Sequence, residues 1–199
     1  MSKIKICGLT RPEDIQAVNR WQPDYIGLVF AGRKRRVTPA QARTLRAALH
    51  PAITAVGVFV NAPIELIRQL WREGTIQWVQ LHGQEDEAYI RALRACVRAP
   101  IIQAFSLQSR ADVQRLQASS ADLVLADHGG GGSGRRFDWS WTAYIQRPYI
   151  LAGGITCQTI QEALRLRPYA VDISSGAETG GHKEEKKIQA LVQCVRRRP

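Results

Sequence analysis

Apolar residues fall in short runs along nearly the whole chain, separated by stretches with helical spacing. The first run, Lys3-Ile4-Lys5-Ile6-Cys7, alternates, which marks a strand with two unlike faces. Ile4 and Ile6 take one face, and Lys3, Lys5 and Cys7 take the other. Gly8 ends the strand, and Thr10 is expected to cap a helix with Pro12, Glu13 and Asp14 in its first turn. A missing N–H and the helix dipole favour such residues there. Later runs are mostly apolar and read as buried strands: 24–30, 53–60, 76–81, 101–105, 121–126, 149–152 and 170–174. Between them, helices are expected from Thr38-Pro39 to near Ala48, Pro63 to Trp71, Glu85 to Cys96, and Ser109 to about Leu116. Two more run from Thr156 to Leu166 and from Lys183 to Val195, while a glycine tract follows the sixth strand. Continuous apolar strands separated by helices mean a parallel sheet. Eight such units predict an α/β fold, a closed (β/α)8 TIM barrel forming one domain over residues 1–199. An open doubly wound sheet is the alternative, but its glycine-rich dinucleotide loop is missing after the first strand.

Composition changes this picture in one respect. At 199 residues, 45% hydrophobic and 23% charged, the chain is ordinary for a globular domain, but its formal charge of +11 is not. The charge clusters at 33–36, at Arg135-Arg136, at Lys183 with Lys186-Lys187, and at 196–198. Nucleic acid or a small polyanionic substrate would suit such a surface, and so would plain solvation. The arginines do not alternate with exposed aromatics and no nucleic-acid motif stands out, so no nucleic-acid partner is expected. Cys7, Cys96, Cys157 and Cys194 lack metal-ligand spacing. With no secretory signal they are expected to be reduced thiols in a cytoplasmic protein. No apolar run reaches membrane-spanning length, so no membrane partner is expected either.

In parallel α/β folds chemistry is done at the carboxyl ends of the strands, and three features gather there. The loops Ala152-Gly153-Gly154-Ile155-Thr156 and Ser174-Ser175-Gly176 follow strands seven and eight, where barrels often hold a phosphate on backbone N–H groups. Cys7 and Asp127 end strands one and six and form a potential acid–base pair across the mouth. An aspartic acid in low-dielectric surroundings can keep its proton and act as an acid. A thiol becomes a base when nearby cations lower its pKa, although alone it is as readily a small buried hydrophobe. The basic loop Arg33-Lys34-Arg35-Arg36 follows strand two, and one inward arginine would grip a carboxylate by a bidentate pair. Gln80 and His82 share a face at the end of strand four, as polar lining or as substrate contacts. Parity adds a structural expectation. If Cys7 faces the interior so does Lys5, which then needs a partner. Asp172 on strand eight has the right parity, so a Lys5–Asp172 ion pair is expected beneath the substrate.

The chain resembles the phosphoribosylanthranilate isomerases. The matching motifs are Lys5-Ile6-Cys7-Gly8-Leu9-Thr10, Gly27-Leu28-Val29-Phe30, Val56-Gly57-Val58-Phe59-Val60-Asn61 and Val79-Gln80-Leu81-His82-Gly83. They continue with Gly131-Gly132-Ser133-Gly134 before Phe137-Asp138-Trp139, then Leu151-Ala152-Gly153-Gly154, and Val171-Asp172-Ile173-Ser174-Ser175-Gly176-Ala177-Glu178. The resemblance implies an Amadori rearrangement in tryptophan biosynthesis, with Cys7 as general base and Asp127 as general acid. It implies that Arg35 holds the anthranilate carboxylate and that Gly153, Gly154, Ser174, Ser175 and Gly176 hold the phosphate. It implies no metal and no redox cofactor, a phosphorylated small-molecule substrate, and a monomer or homodimer. Two positions depart from the family pattern. Arg36 stands where the family commonly has an aromatic, with the Val37-Thr38-Pro39 register favouring Arg35 as the clamp, and the loop after Asp127 is short and glycine-rich. The histidine-pathway isomerase is similar at the phosphate loops but uses paired aspartates, where this chain has Cys7.

Overall fold

Eight strands each turn alternate side chains toward the middle of a ring and toward an outer layer of helices. A computed structural model describes residues 2–128 and 137–197. The strands are β1 (Lys3–Cys7), β2 (Tyr25–Val29), β3 (Thr54–Phe59), β4 (Trp78–Leu81), β5 (Ile101–Ser106), β6 (Leu123–Asp127), β7 (Tyr149–Leu151) and β8 (Ala170–Ile173). They form a closed parallel barrel in chain order, so the TIM barrel expected from the sequence is the fold found. The ring is sealed by β1 against β8, with Lys3 opposite Ala170, Ile4 opposite Val171, Lys5 opposite Asp172 and Ile6 opposite Ile173. Closure removes both sheet edges.

The helices are α1 (Pro12–Trp21), α2 (Pro39–Ala47), α3 (Ile64–Arg72), α4 (Glu87–Arg94), α5 (Arg110–Ala118), α6 (Ile160–Arg165) and α7 (Glu185–Arg196). A 3-10 segment, Trp139–Tyr144, stands between β6 and β7, and a shorter one, Ser175–Ala177, follows β8. Ile4, Ile6, Ile26, Leu28, Val124, Ala126, Val171 and Ile173 pack outward with the helices in one core. Tyr25, Val56, Ile102, Leu123, Leu125, Ile150 and Ala170 fill the inside of the barrel. The interior is therefore a packed plug, and only its carboxyl-terminal end is left open for chemistry.

Several boundaries differ from those expected, each for a local reason. Arg11, not Thr10, is the N-cap of α1, because Asp14 reaches back to take the backbone N–H groups of Thr10 and Arg11. Thr159, not Thr156, caps α6, since a turn bonded from Thr159 N–H to the Thr156 carbonyl precedes it. Glu85 lies outside α4, accepting the N–H groups of Asn61 and Gly83 with its carboxylate. Asp122 lies ahead of β6, where its carboxylate takes the Ile101 N–H and an Arg94 guanidinium. Lys183 belongs to a small antiparallel hairpin, β9 (Glu178–Thr179) and β10 (His182–Lys183), placed between β8 and α7.

Candidate active site

The carboxyl ends of the strands surround a cavity of about 610 Å³. Every site residue proposed from the sequence lines it: Cys7, Arg35, Gln80, His82, Asp127, Gly153, Gly154, Ser174, Ser175 and Gly176. The glycine motif at 131–134 and the Arg135-Arg136 pair lie outside the described residues.

Cys7 ends β1 with its side chain inward because Ile4 and Ile6 claim the outer face. Its neighbour across the ladder is Gly27. A Cβ built there would stand 2.5 Å from the Cys7 sulfur, so only glycine leaves the thiol room. Beneath it Lys5 is fully buried and bonded to Asp172 at 2.9 Å, the ion pair that strand parity demands. The expected lowering of the thiol pKa is not found. Burial pushes Cys7 above the ordinary 9.0, while Lys5 and Lys183 pull it down and Asp172 opposes them. Lys5 bonds the thiol as well as Asp172 and is the strongest group pulling it down, but burial outweighs that pull.

Asp127 ends β6 and is also buried. Gln80 presents its amide nitrogen 2.8 Å from His82 Nδ1. The ring proton of a neutral His82 therefore sits on Nε2, which lies 3.3 Å from Asp127 Oδ2. The other carboxylate oxygen accepts the His128 N–H at 2.7 Å. Burial would raise the pKa of Asp127, but these donors win and hold it below the ordinary 3.8. The resting group is a carboxylate, which corrects the expectation that it keeps its proton.

The loops after β7 and β8 line one side of the cavity. Gly153 and Gly154 hold φ of 79° and 70° and turn the first loop back over the barrel. The Ser174 hydroxyl donates to the Cys7 carbonyl at 3.1 Å, tying the second loop to the end of β1. Of the basic loop, Arg35 turns inward, held by Glu178 at 2.6 and 2.7 Å through Nε and Nη2. The guanidinium pKa is raised, first by that hydrogen bonding. Glu178 and Lys183 were not among the residues singled out for the site. Lys183 belongs by sequence to a basic cluster with Lys186 and Lys187, yet its side chain is 1% exposed and pairs with Glu178. Only a hairpin signal around Gly180-Gly181 could have found it.

A model of the N-(5'-phosphoribosyl)anthranilate (PRA) isomerase family matches residues 4–194. An isomerase of that name from Lachnoclostridium phytofermentans is 43% identical over 208 residues, covering 96% of this chain and 95% of the relative. The crystal structure of a phosphoribosyl anthranilate isomerase from Thermus thermophilus superposes with a TM-score of 0.89 at 35% identity, covering 98% of both chains. Another solved isomerase, in complex with reduced 1-(o-carboxyphenylamino)-1-deoxyribulose 5-phosphate, superposes at 0.84 with 30% identity, covering 98% of this chain and 99% of that one.

Proposed function

The chain belongs to the N-(5'-phosphoribosyl)anthranilate isomerase family, and we propose that Cys7 and Asp127 move the protons of its reaction. The enzyme converts N-(5'-phosphoribosyl)anthranilate to 1-(2-carboxyphenylamino)-1-deoxyribulose 5-phosphate in tryptophan biosynthesis. The observation that supports the assignment is the single cavity onto which both groups open, together with the loops after β7 and β8 and Arg35.

In this reading the phosphate sits on the loops at Gly153-Gly154 and Ser174-Ser175-Gly176, and Arg35 takes the anthranilate carboxylate. Gln80 and His82 lie beside the sugar. Asp127 gives a proton to the furanose ring oxygen, and the C1'–O bond breaks to leave a Schiff base. The Cys7 thiolate then takes the C2' proton, giving an enolamine. Loss of the enol proton and return of a proton to C1' yield the ketone. The substrate nitrogen is the electron sink, so the sequence of steps calls for no metal or redox cofactor. The two anion grips hold a flexible substrate at both ends, so remote binding energy is used to align the reacting centre.

The resting groups carry their protons the other way round, with a thiol and a carboxylate. The reactive form is the tautomer with thiolate and carboxylic acid, which has the same net charge. Its population is independent of pH between the two pKa values.

The test is the loss of substrate fluorescence on wild type, Cys7→Ser and Asp127→Asn. Both variants should fold normally and lose roughly 10²–10⁴-fold in turnover. Full activity in both would remove the assignment.

A further inference from the structure

Arg35 does not stand in the cavity by itself. Its backbone is left-handed, with φ 63°, a conformation that costs a non-glycine residue energy unless its surroundings enforce it. Its aliphatic stem lies against Gly8, where a Cβ would come within 2.4 Å of Arg35 Cδ. Glu178 then takes the Nε and Nη2 hydrogens in a two-point bond, a geometry that fixes the plane of the guanidinium as well as its place.

Glu178 is held in turn. Lys183, opposite it in the β9–β10 hairpin, donates to the same carboxylate and to the Ser174 carbonyl at 3.1 Å. Lys187 donates to the Glu178 backbone carbonyl at 2.6 Å. Burial would push the Glu178 pKa up, but Arg35 and Lys183 hold it down, so it is an anion. Two cations share that one anion, and the cluster keeps a net positive charge beside the cavity. One edge of the Arg35 guanidinium is committed to Glu178, which leaves the Nη1 side to meet a ligand.

We propose that Glu178 is a positioning residue that braces Arg35 for the substrate's carboxylate. The inference rests on the reading of Arg35 as the carboxylate clamp and adds what makes the clamp rigid. An unbraced arginine on a left-handed loop residue would lose its orientation, and the affinity for a planar carboxylate would fall with it.

The experiment measures binding of two ligands by calorimetry. One is the reduced form of the product, reduced 1-(o-carboxyphenylamino)-1-deoxyribulose 5-phosphate, and the other is its phenylamino counterpart without the carboxyl group. In wild type the carboxylate should improve affinity by roughly 10- to 100-fold, the size of a charge-assisted hydrogen bond. Arg35→Ala should abolish that preference. Glu178→Gln should cut it severalfold or more, leave the counterpart's affinity close to wild type, and raise KM more than it lowers kcat. Because Glu178→Gln strands Lys183, the pair Glu178→Gln/Lys183→Met serves if the single variant does not fold. A preference lost in Arg35→Ala but intact in both Glu178 variants overturns the bracing role. So does equal weakening of both ligands, which would make Glu178 merely structural. A preference unchanged in Arg35→Ala overturns the clamp reading itself, and the brace with it.

Discussion

Cys7 and Asp127 are 8% and 7% exposed at the mouth of one barrel, and burial disfavours the charged form of both. They nevertheless part company. Asp127 is pulled down into the ionised state, and Cys7 is pushed up into the neutral one. The difference lies in what touches them. Asp127 has a donor aimed at each carboxylate oxygen, from His82 and from the His128 N–H. Cys7 has two lysines in its neighbourhood, but Lys5 is bonded to Asp172 and Lys183 to Glu178. Donors on both carboxylate oxygens overcome desolvation at Asp127, whereas at Cys7 the pull of Lys5 and Lys183 is opposed by Asp172 and falls short of the cost of burial. A bell-shaped pH profile of kcat/KM should therefore have its acid limb set by Asp127 and its alkaline limb by Cys7, the reverse of what their roles as acid and base would give.

The largest expected effect comes from freeing the cation beneath the thiol. Asp172→Ala leaves Lys5 buried and unpaired, which should cost on the order of 3–5 kcal/mol in chemical denaturation. The same change removes an anion that raises the Cys7 pKa and releases Lys5 to favour the thiolate. Cys7 should then alkylate faster with iodoacetamide at neutral pH, followed site by site by mass spectrometry to separate it from Cys96, Cys157 and Cys194. A near-neutral stability change, or a thiol no more reactive than in wild type, would contradict the account of why Cys7 stays neutral.

A smaller effect is expected on the other side of the mouth. His82 lowers the Asp127 pKa, so His82→Gln, which weakens that donation, should let it rise. The acid limb of the kcat/KM profile should move to higher pH, and the alkaline limb, belonging to Cys7, should stay. Movement of both limbs together would mean that the two groups do not titrate separately. An unmoved acid limb would mean that His82 does not set the charge on Asp127.

Strand parity made much of this legible before any coordinates. Alternation in Lys3–Cys7 puts Lys5 and Cys7 on one side, and the closing strand supplies Asp172 at the same level, so the ion pair follows from counting. The place of the loops after β7 and β8 on the cavity was legible because their glycines follow the carboxyl ends of strands. The Arg35–Glu178–Lys183 cluster was not. It depends on a left-handed residue in one loop and a two-residue hairpin in another, and neither leaves a periodic trace. The protonation states were not legible either, because they turn on the balance between burial and the charges and donors around each group.

The same distinction between a residue type and its contact operates at the helix starts, with the smallest consequence. Thr10 and Thr38 each stand just before a helix with a proline in its first turn. Thr38 is a true cap: its hydroxyl accepts the Gln41 N–H, and the Gln41 side chain accepts the Thr38 N–H. At α1 the cap position is Arg11, and Asp14 takes the Thr10 and Arg11 N–H groups with its own carboxylate. Thr38→Ala should therefore cost about 1 kcal/mol in denaturant unfolding, while Thr10→Ala should stay within about 0.5 kcal/mol of wild type. Equal losses would mean that Thr10 serves the first helix in a way its hydrogen bonds do not describe. The expected inequality would separate, in two otherwise matching sequence contexts, the residue that resembles a cap from the residue that makes one.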